Sequence, residues 1–560
     1  MKEHIVDILS KNLEQSLEKD TIERLIEIPP NDEFGDYAFP CFSLSKVLKK
    51  NPAIIAADLS EKINESADGI EAKNVSGYIN FFIDKKMLAQ TILASAKSED
   101  YGALKEGQKV VVEFASPNTN KPLHLGHLRN MSIGDSVSRI LEYAGNEVVR
   151  TSINNDRGVH ICKSMLSYSR RAKGETPQSA RKKSDHFVGD YYVLFNNESS
   201  KDSSWNDDAQ EMLRKWEAGD EEVVSLWKQM NKWALDGFRE TYRRFGIRFD
   251  KEYYESNIYK SGKEIVHEGL DRGVFKKRDD NAVYIDLEEE KLGEKVVLRP
   301  DGTSVYIVQD LFLALLKKEE YNYDKSIYVV GNEQDYHFAV LIAIFKRLGY
   351  DIADKIKHLS YGMVELPEGK MKSREGTVVD ADDLIAQTQE LAKDELAARY
   401  SLSEEEMELR SHRITLAAIK YQLLKVDITR TMVFDPKKAI SFEGDTGPYL
   451  LYSYARASSI LRKANVTEDY TINDLHNSEI KLFKKIGFFP SIIQTASKRL
   501  SPSVIACYSF ELSQLFNEFY HNCKVIDSKE EAFRLNLVRL FRKTLSTCLD
   551  LLGIEKIEEM

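Results

Sequence analysis

What this chain has little of narrows it first. Its 560 residues contain five cysteines, Cys41, Cys162, Cys507, Cys523 and Cys548, and no two of them form a CxxC pair. So sparse and odd a set points to reduced thiols and argues against a zinc ribbon, so no metal site is expected from them. No apolar run approaches the roughly 18 residues that a membrane-spanning helix needs. The N-terminus, Met1-Lys2-Glu3-His4, leads into an amphipathic, acid-bearing segment where a signal peptide would carry an apolar stretch. These absences predict a cytoplasmic protein with no membrane partner. An excess of positive charge is missing too: 79 basic residues face 90 acidic ones, a formal net charge of −11. Taken globally this disfavours a nucleic-acid partner, although a local basic face can still hold phosphates. Internal repeats and low-complexity stretches are also lacking.

What is present is ordinary globular material, 42% hydrophobic and 30% charged, long enough for two to four domains. Three regions stand out. Residues 1–90 read as a small α/β domain. Helical periodicity runs from Ile5 through Leu9, Leu13 and Leu17. A turn-rich loop follows at Pro29–Tyr37, with helices starting near Phe42 and Pro52 and a strand-like run at Tyr78–Ile83. Residues 95–435 alternate strands, such as Val110–Phe114 and Ser326–Val330, with helices, the pattern of a parallel, Rossmann-like sheet. A polar helical insertion occupies about 165–240 and carries the basic clusters Arg170-Arg171 and Arg181-Lys182-Lys183. Residues 440–560 read as an all-α helical bundle.

The segment Glu113-Phe114-Ala115-Ser116-Pro117-Asn118-Thr119-Asn120-Lys121-Pro122-Leu123-His124-Leu125-Gly126-His127-Leu128-Arg129-Asn130 follows a strand and opens a helix. Open parallel sheets bind ligands at such points, and a helix N-terminus offers free N–H groups to phosphates. Gly126 would let a nucleotide approach the backbone. His124 and His127 stand three apart, able to donate to phosphate oxygens as charge develops, and Lys121 adds a mobile cation. A plain helix cap with two surface histidines, or a metal pair, would read the same from HxGH alone. The longer stretch resembles the signature of class I aminoacyl-tRNA synthetases, and its Ser-Pro-Asn-x-x-Lys-Pro-x-His-x-Gly-His-Leu-Arg form is similar to the arginyl-tRNA synthetases in particular.

That resemblance implies a class I catalytic domain, an N-terminal additional domain contacting the elbow of tRNA, and a C-terminal anticodon-binding bundle. It also implies a second, lysine-rich ATP loop, matched by Gly369-Lys370-Met371-Lys372-Ser373-Arg374-Glu375-Gly376. Cations on a mobile loop suit a departing pyrophosphate. This stretch departs from Lys-Met-Ser-Lys-Ser: Lys370 and Met371 fit, but Ser373 stands where the second lysine would be. Lys121 is the expected substitute.

A guanidinium needs carboxylates in a planar arrangement. The resemblance implies that Tyr306 and Asp310, four apart on one helical face, hold it. Asn118 and Gln334 would contact the amino acid, and Glu113 its ammonium group or side chain. Asn154-Asn155-Asp156-Arg157-Gly158 resembles a loop at the family's active site. Within Gly447–Ala457, Tyr449, Tyr452, Tyr454 and Arg456 interleave aromatics with a cation, as unstacked anticodon bases require, though helix packing explains each tyrosine equally well.

The expected reaction joins arginine to ATP with release of pyrophosphate, ATP carrying Mg²⁺, and then transfers arginine to the terminal adenosine of its tRNA; the family typically needs that tRNA for the first step as well. A monomer is expected by the same resemblance. Competing readings are a small-molecule nucleotidyltransferase, which needs no 120-residue helical end; a catalytically silent tRNA-binding relative; and cysteinyl or glutaminyl synthetases, the first of which usually holds zinc.

Overall fold

Local signals start several elements in the N-terminal region. Asn51 accepts a hydrogen bond from the Ala53 amide and Pro52 takes the first position of the helix Pro52–Ser66, where a missing N–H costs nothing. Asp84 caps Lys85–Ser95 in the same way, accepting from Lys86 and Met87. The same region holds an antiparallel sheet ordered Tyr37–Pro40, Tyr78–Ile83, Ile70–Val75. The helix expected from Ile5 to Leu17 ends at Asn12, and a separate helix spans Lys19–Leu25. This computed structural model describes residues 1–13, 17–29, 31–367 and 379–560.

The core of the middle region is a five-stranded sheet ordered Ile356–Tyr361, Lys325–Gly331, Lys109–Glu113, Glu147–Asn154, Lys251–Tyr254, with every pair parallel. Val110, Val111 and Val112 are buried, as expected for a central parallel strand covered on both faces. The chain leaves Lys109–Glu113 toward Glu147–Asn154 on one side and returns to Lys325–Gly331 on the other. The carboxyl end of Lys109–Glu113 is therefore the topological switch point. From it the chain enters the helix Leu125–Tyr143, whose Gly134 is required: a Cβ there would meet the Phe114 ring at 2.3 Å.

Helices from Val159 to Phe245 form the insertion, the longest being Glu221–Phe245, capped by Asp220. A feature absent from the sequence reading follows the last strand on that side. The short antiparallel strands Lys276–Lys277, Val283–Leu287 and Gly293–Leu298 form a separate sheet before the helix Tyr306–Tyr321. Beyond the sheet the described residues are mostly helical, apart from the parallel pair Val364–Glu365 and Met432–Val433. Gly447–Arg462, Asn477–Gly487, Phe489–Arg499, Pro502–Asn522 and Glu531–Leu551 pack as a bundle, with Phe516 and Phe541 stacked at 3.8 Å in its core.

Candidate active site

Immediately after the first sheet strand the backbone is strained. Ala115 and Ser116 both have positive φ, uncommon for non-glycine residues and frequent at functional sites. Asn130, on the second turn of the Leu125–Tyr143 helix, accepts from the Ala115 amide at 2.6 Å and donates to Val329 O at 2.7 Å. It thereby ties the two strands that flank the switch point. His124 is the N-cap of this helix: its Nδ1 accepts from the Gly126 amide at 3.1 Å, while His127 Nδ1 accepts from the His124 amide at 3.1 Å. The spacing of three, read as one helical face, is a reciprocal capping box built from imidazoles. With both Nδ1 atoms accepting, the protons of the neutral rings sit on Nε2. Burial, reinforced by the Lys121 cation, lowers His124 to about 3 and holds His127 well below the usual histidine range. Two neutral donors thus sit side by side, ring centroids 3.9 Å apart.

Lys121 precedes them, and burial lowers its pKa. Insertion helix Ser184–Ser199 packs directly on this loop: a Cβ at Gly189 would lie 2.7 Å from Pro122 Cδ. Lys370, Met371, Lys372 and Ser373 lie outside the described residues. The residues just after them are ordered against the first motif. His124 bridges Asp380, the Leu125 amide donates to Val379 O at 3.1 Å, and the Ala381 amide donates to Leu123 O at 3.0 Å. The insertion anchors the same point. Lys183 Nζ donates to Asp185 at 3.0 Å, Thr241 at 2.6 Å and Asp382 at 2.7 Å. His186 Nε2 lies 3.3 Å from Asp380 and 3.5 Å from Asp382. Asp185, His186 and Asp382 converge closely enough for a metal, but the Lys183 ammonium already supplies the cation.

The residues expected to contact the amino acid come from the ends of several elements. Glu113, 6% exposed, ends the first strand and pairs with the buried Lys317 of the helix Tyr306–Tyr321. The Lys317 ammonium also lies 4.5 Å from the centre of the Tyr328 ring. Glu113 is thus committed to an internal ion pair, which the sequence reading did not anticipate. Two turns before Lys317, Asp310 accepts from His337 Nε2 at 2.6 Å. Tyr306, 67% exposed, opens the same helix one turn earlier. Gln334, exposed, closes the short helix Asn332–Gln334 after the strand Lys325–Gly331. Asn118, also exposed, bridges Asn155. A third carboxylate went unnoticed in the sequence. Glu255 is buried at the end of the last sheet strand, and burial pushes it up to about 7, with Asp156 and Asp310 adding to the rise against Arg157. Arg157 reaches toward it at 3.8 Å, pairs with Glu217 of the insertion at 2.6 Å and stacks on Tyr259. Nothing in the motif spacing marks Glu255; only the sheet order brings it to Asp310.

In the C-terminal bundle a groove of about 940 Å³ is lined by Tyr452, Arg456, Tyr520, Lys524 and the terminal Met560. Arg456 donates to the Tyr452 hydroxyl at 2.9 Å and lies between the Tyr452 and Tyr520 rings. Tyr449 is tied to Asn517 at 2.8 Å. Tyr454 departs from the expectation that it faces tRNA. It is 4% exposed and donates to Glu558 at 3.0 Å, so it serves packing. In the insertion, Arg170 pairs with Asp208 at 2.6 Å, Arg171 with Glu198 at 2.9 Å, and Lys182 with Asp190.

Comparison with known proteins agrees with this geometry. Three family models match: an arginyl tRNA synthetase N terminal domain over residues 2–83, a catalytic domain of class I tRNA synthetases (R) over 89–436, and a DALR anticodon binding domain over 450–560. An arginine–tRNA ligase of Treponema denticola is 43% identical, with 99% of this chain and 98% of that protein covered. One from Bacteroides thetaiotaomicron is also 43% identical, with 93% of each covered. The solved Thermus thermophilus arginyl-tRNA synthetase superposes with a TM-score of 0.85 at 25% identity over 100% of both chains. A capped pair of imidazoles at the switch point, a parallel-sheet core and matches along nearly the whole length lead to one conclusion: the chain belongs to the arginyl-tRNA synthetase family.

Proposed function

We propose that this chain is an arginine–tRNA ligase that activates L-arginine with ATP and transfers it to the 3′ end of its cognate tRNA. The observation that carries the reading is the pair of neutral, Nε2-protonated imidazoles at the switch point, zipped by backbone bonds to Val379–Ala381, a stretch that follows the second cationic motif in sequence. In the first step an arginine carboxylate oxygen bonds to the α-phosphorus of ATP as pyrophosphate leaves. His124 and His127 donate to phosphate oxygens whose charge grows in that step, and Gly126 leaves room for the nucleotide. Lys121 and Lys370 neutralise the leaving pyrophosphate, with Met371, Lys372 and Ser373 completing the loop. ATP arrives as its Mg²⁺ complex, part of the substrate. In the second step a ribose hydroxyl of the terminal adenosine attacks the adenylate carbonyl and AMP leaves.

Arginine would be held by Asp310 and Tyr306 at its guanidinium, by Asn118 and Gln334 along its length, and by the negative field of Glu255. The groove between Tyr452, Arg456 and Tyr520 offers stacking faces and a cation to anticodon bases. The proposed unit is a single chain acting in the cytoplasm, where tRNA is charged.

The test is ATP–pyrophosphate exchange with arginine, with and without arginine tRNA, and with lysine as control. Exchange that requires arginine and is strengthened by tRNA supports the reading. Exchange with another amino acid alone would overturn the pocket assignment, and none with any amino acid would overturn the activity. In the same assay Lys121→Ala is expected to slow adenylate formation by roughly two orders of magnitude or more; a near-normal rate would remove Lys121 as the stand-in for the missing lysine.

A further inference from the structure

His337 belongs to none of the motifs above, yet it touches the carboxylate on which the proposed pocket depends. Its Nε2 donates to Asp310 Oδ2 at 2.6 Å. Asp310 lies on the half-exposed face of its helix, its side chain 40% exposed. An aspartate so placed samples several rotamers, and each would aim its oxygens differently. The imidazole is itself held. It meets Phe338 edge-on at 5.8 Å, and Phe338 stacks on His358 at 4.3 Å and packs against Tyr328 at 5.2 Å. His358 Nε2 in turn donates to Val330 O at 3.0 Å, in the strand that leads to Gln334. The hydrogen bond therefore crosses from the helix Asp335–Arg347, which begins right after Gln334, to the helix that carries Tyr306 and Asp310.

We infer that His337 is a positioning residue of the amino-acid site: it pins Asp310 Oδ2, presents Oδ1 to the substrate guanidinium, and locks the helix that bears Tyr306 and Asp310 to the helix that follows Gln334. Among the described residues Oδ1 makes no hydrogen bond, so one oxygen is left for a planar donor pair to engage. Donation by a fixed ring also removes the rotamer freedom that arginine binding would otherwise have to freeze. This rests on the proposed arginine activity.

The test is a set of variants assayed by tRNA-supported exchange. His337→Ala is expected to raise the KM for arginine about ten-fold, while kcat and the KM for ATP stay within about three-fold. His337→Gln, which keeps an N–H donor at similar reach, should restore most of the arginine KM. On an Asp310→Ala background the alanine change should add almost nothing, because the acceptor it positions is already gone. If the unsubstituted enzyme exchanged with no arginine, the substrate reading would fall and this inference with it. If it did exchange but His337→Ala left the arginine KM within about two-fold, the role of His337 alone would fall. A loss that moved kcat, ATP KM and arginine KM together, unrelieved by glutamine, would overturn it as well.

Discussion

His124 and His127 are neutral because burial and Lys121 disfavour their charged forms, and their Nδ1 atoms are occupied by backbone amides. Each presents an Nε2–H donor wherever the fold is stable. The pH profile of adenylate formation is therefore expected to carry no histidine step from this pair; a step abolished by His124→Asn would refute that. Glu255 behaves differently. Burial raises it to about 7, and it feels the charge of Asp310. A cationic substrate beside Asp310 favours the ionised form, so below that value arginine must expel a proton to bind. The KM for arginine should fall as pH rises from about 6 to about 8 and then level off. Glu255→Gln should flatten that slope; an unchanged slope would remove Glu255 from the site. Lys317 makes a third case. Replacing it by methionine leaves Glu113 buried without its cation, at an expected cost of about 3–5 kcal/mol seen in denaturant unfolding. Adding Glu113→Gln should recover much of that stability. The motif residues could be named from the sequence because their chemistry is local. Glu255, Lys317 and His337 could not, because their partners lie up to 204 residues away.

At the scale of elements, caps and turns were legible where side chain and backbone speak to each other over a few residues, as at Asn51-Pro52 and Asp84. The small sheet over 276–298 was not: its strands are two to six residues long, too short for alternation to stand out. Nor was the anchor between the insertion and Val379–Asp382. Burial opposes ionisation of Asp382, but the nearby His186 ring and the Lys183 ammonium outweigh it and hold its carboxyl below the usual carboxylate range. Burial likewise opposes protonation of His186, yet Asp382 and Asp380 raise its pKa above the ordinary histidine value. A group raised in this way stabilises the fold fully below about pH 6.5, and the contribution fades as pH rises through the folded value. The melting temperature should therefore decline between about pH 6 and about pH 8, and His186→Asn should flatten that decline. An equal decline in the variant would show that the anchor does not depend on this imidazole.

Across the whole molecule the chain end is built into the catalytic core. Lys420 Nζ donates to Gly553 O at 2.6 Å, and burial lowers its pKa to about 8. Ser136, on the helix that begins at the first motif, donates to Leu551 O at 2.8 Å. Arg413 pairs with Glu555 at 3.0 Å, and Ile554 and Ile557 are buried. Deleting residues 553–560 exposes those two sites at about 1.5–3 kcal/mol each and leaves Lys420 without its acceptor. The melting temperature should fall and exchange activity with it; an unchanged unfolding midpoint would contradict this. By itself the sequence determined the family, the loop-to-helix motif after the first sheet strand, the alternation of a parallel-sheet core and the helical end, since each is written in contiguous residues whose spacing matches a helix, strand or cap. The tertiary structure alone decided which carboxylates stay partly open, which carry internal cations, and which tyrosines meet solvent. Those properties depend on burial and on partners brought together by sheet order, and no local pattern encodes either.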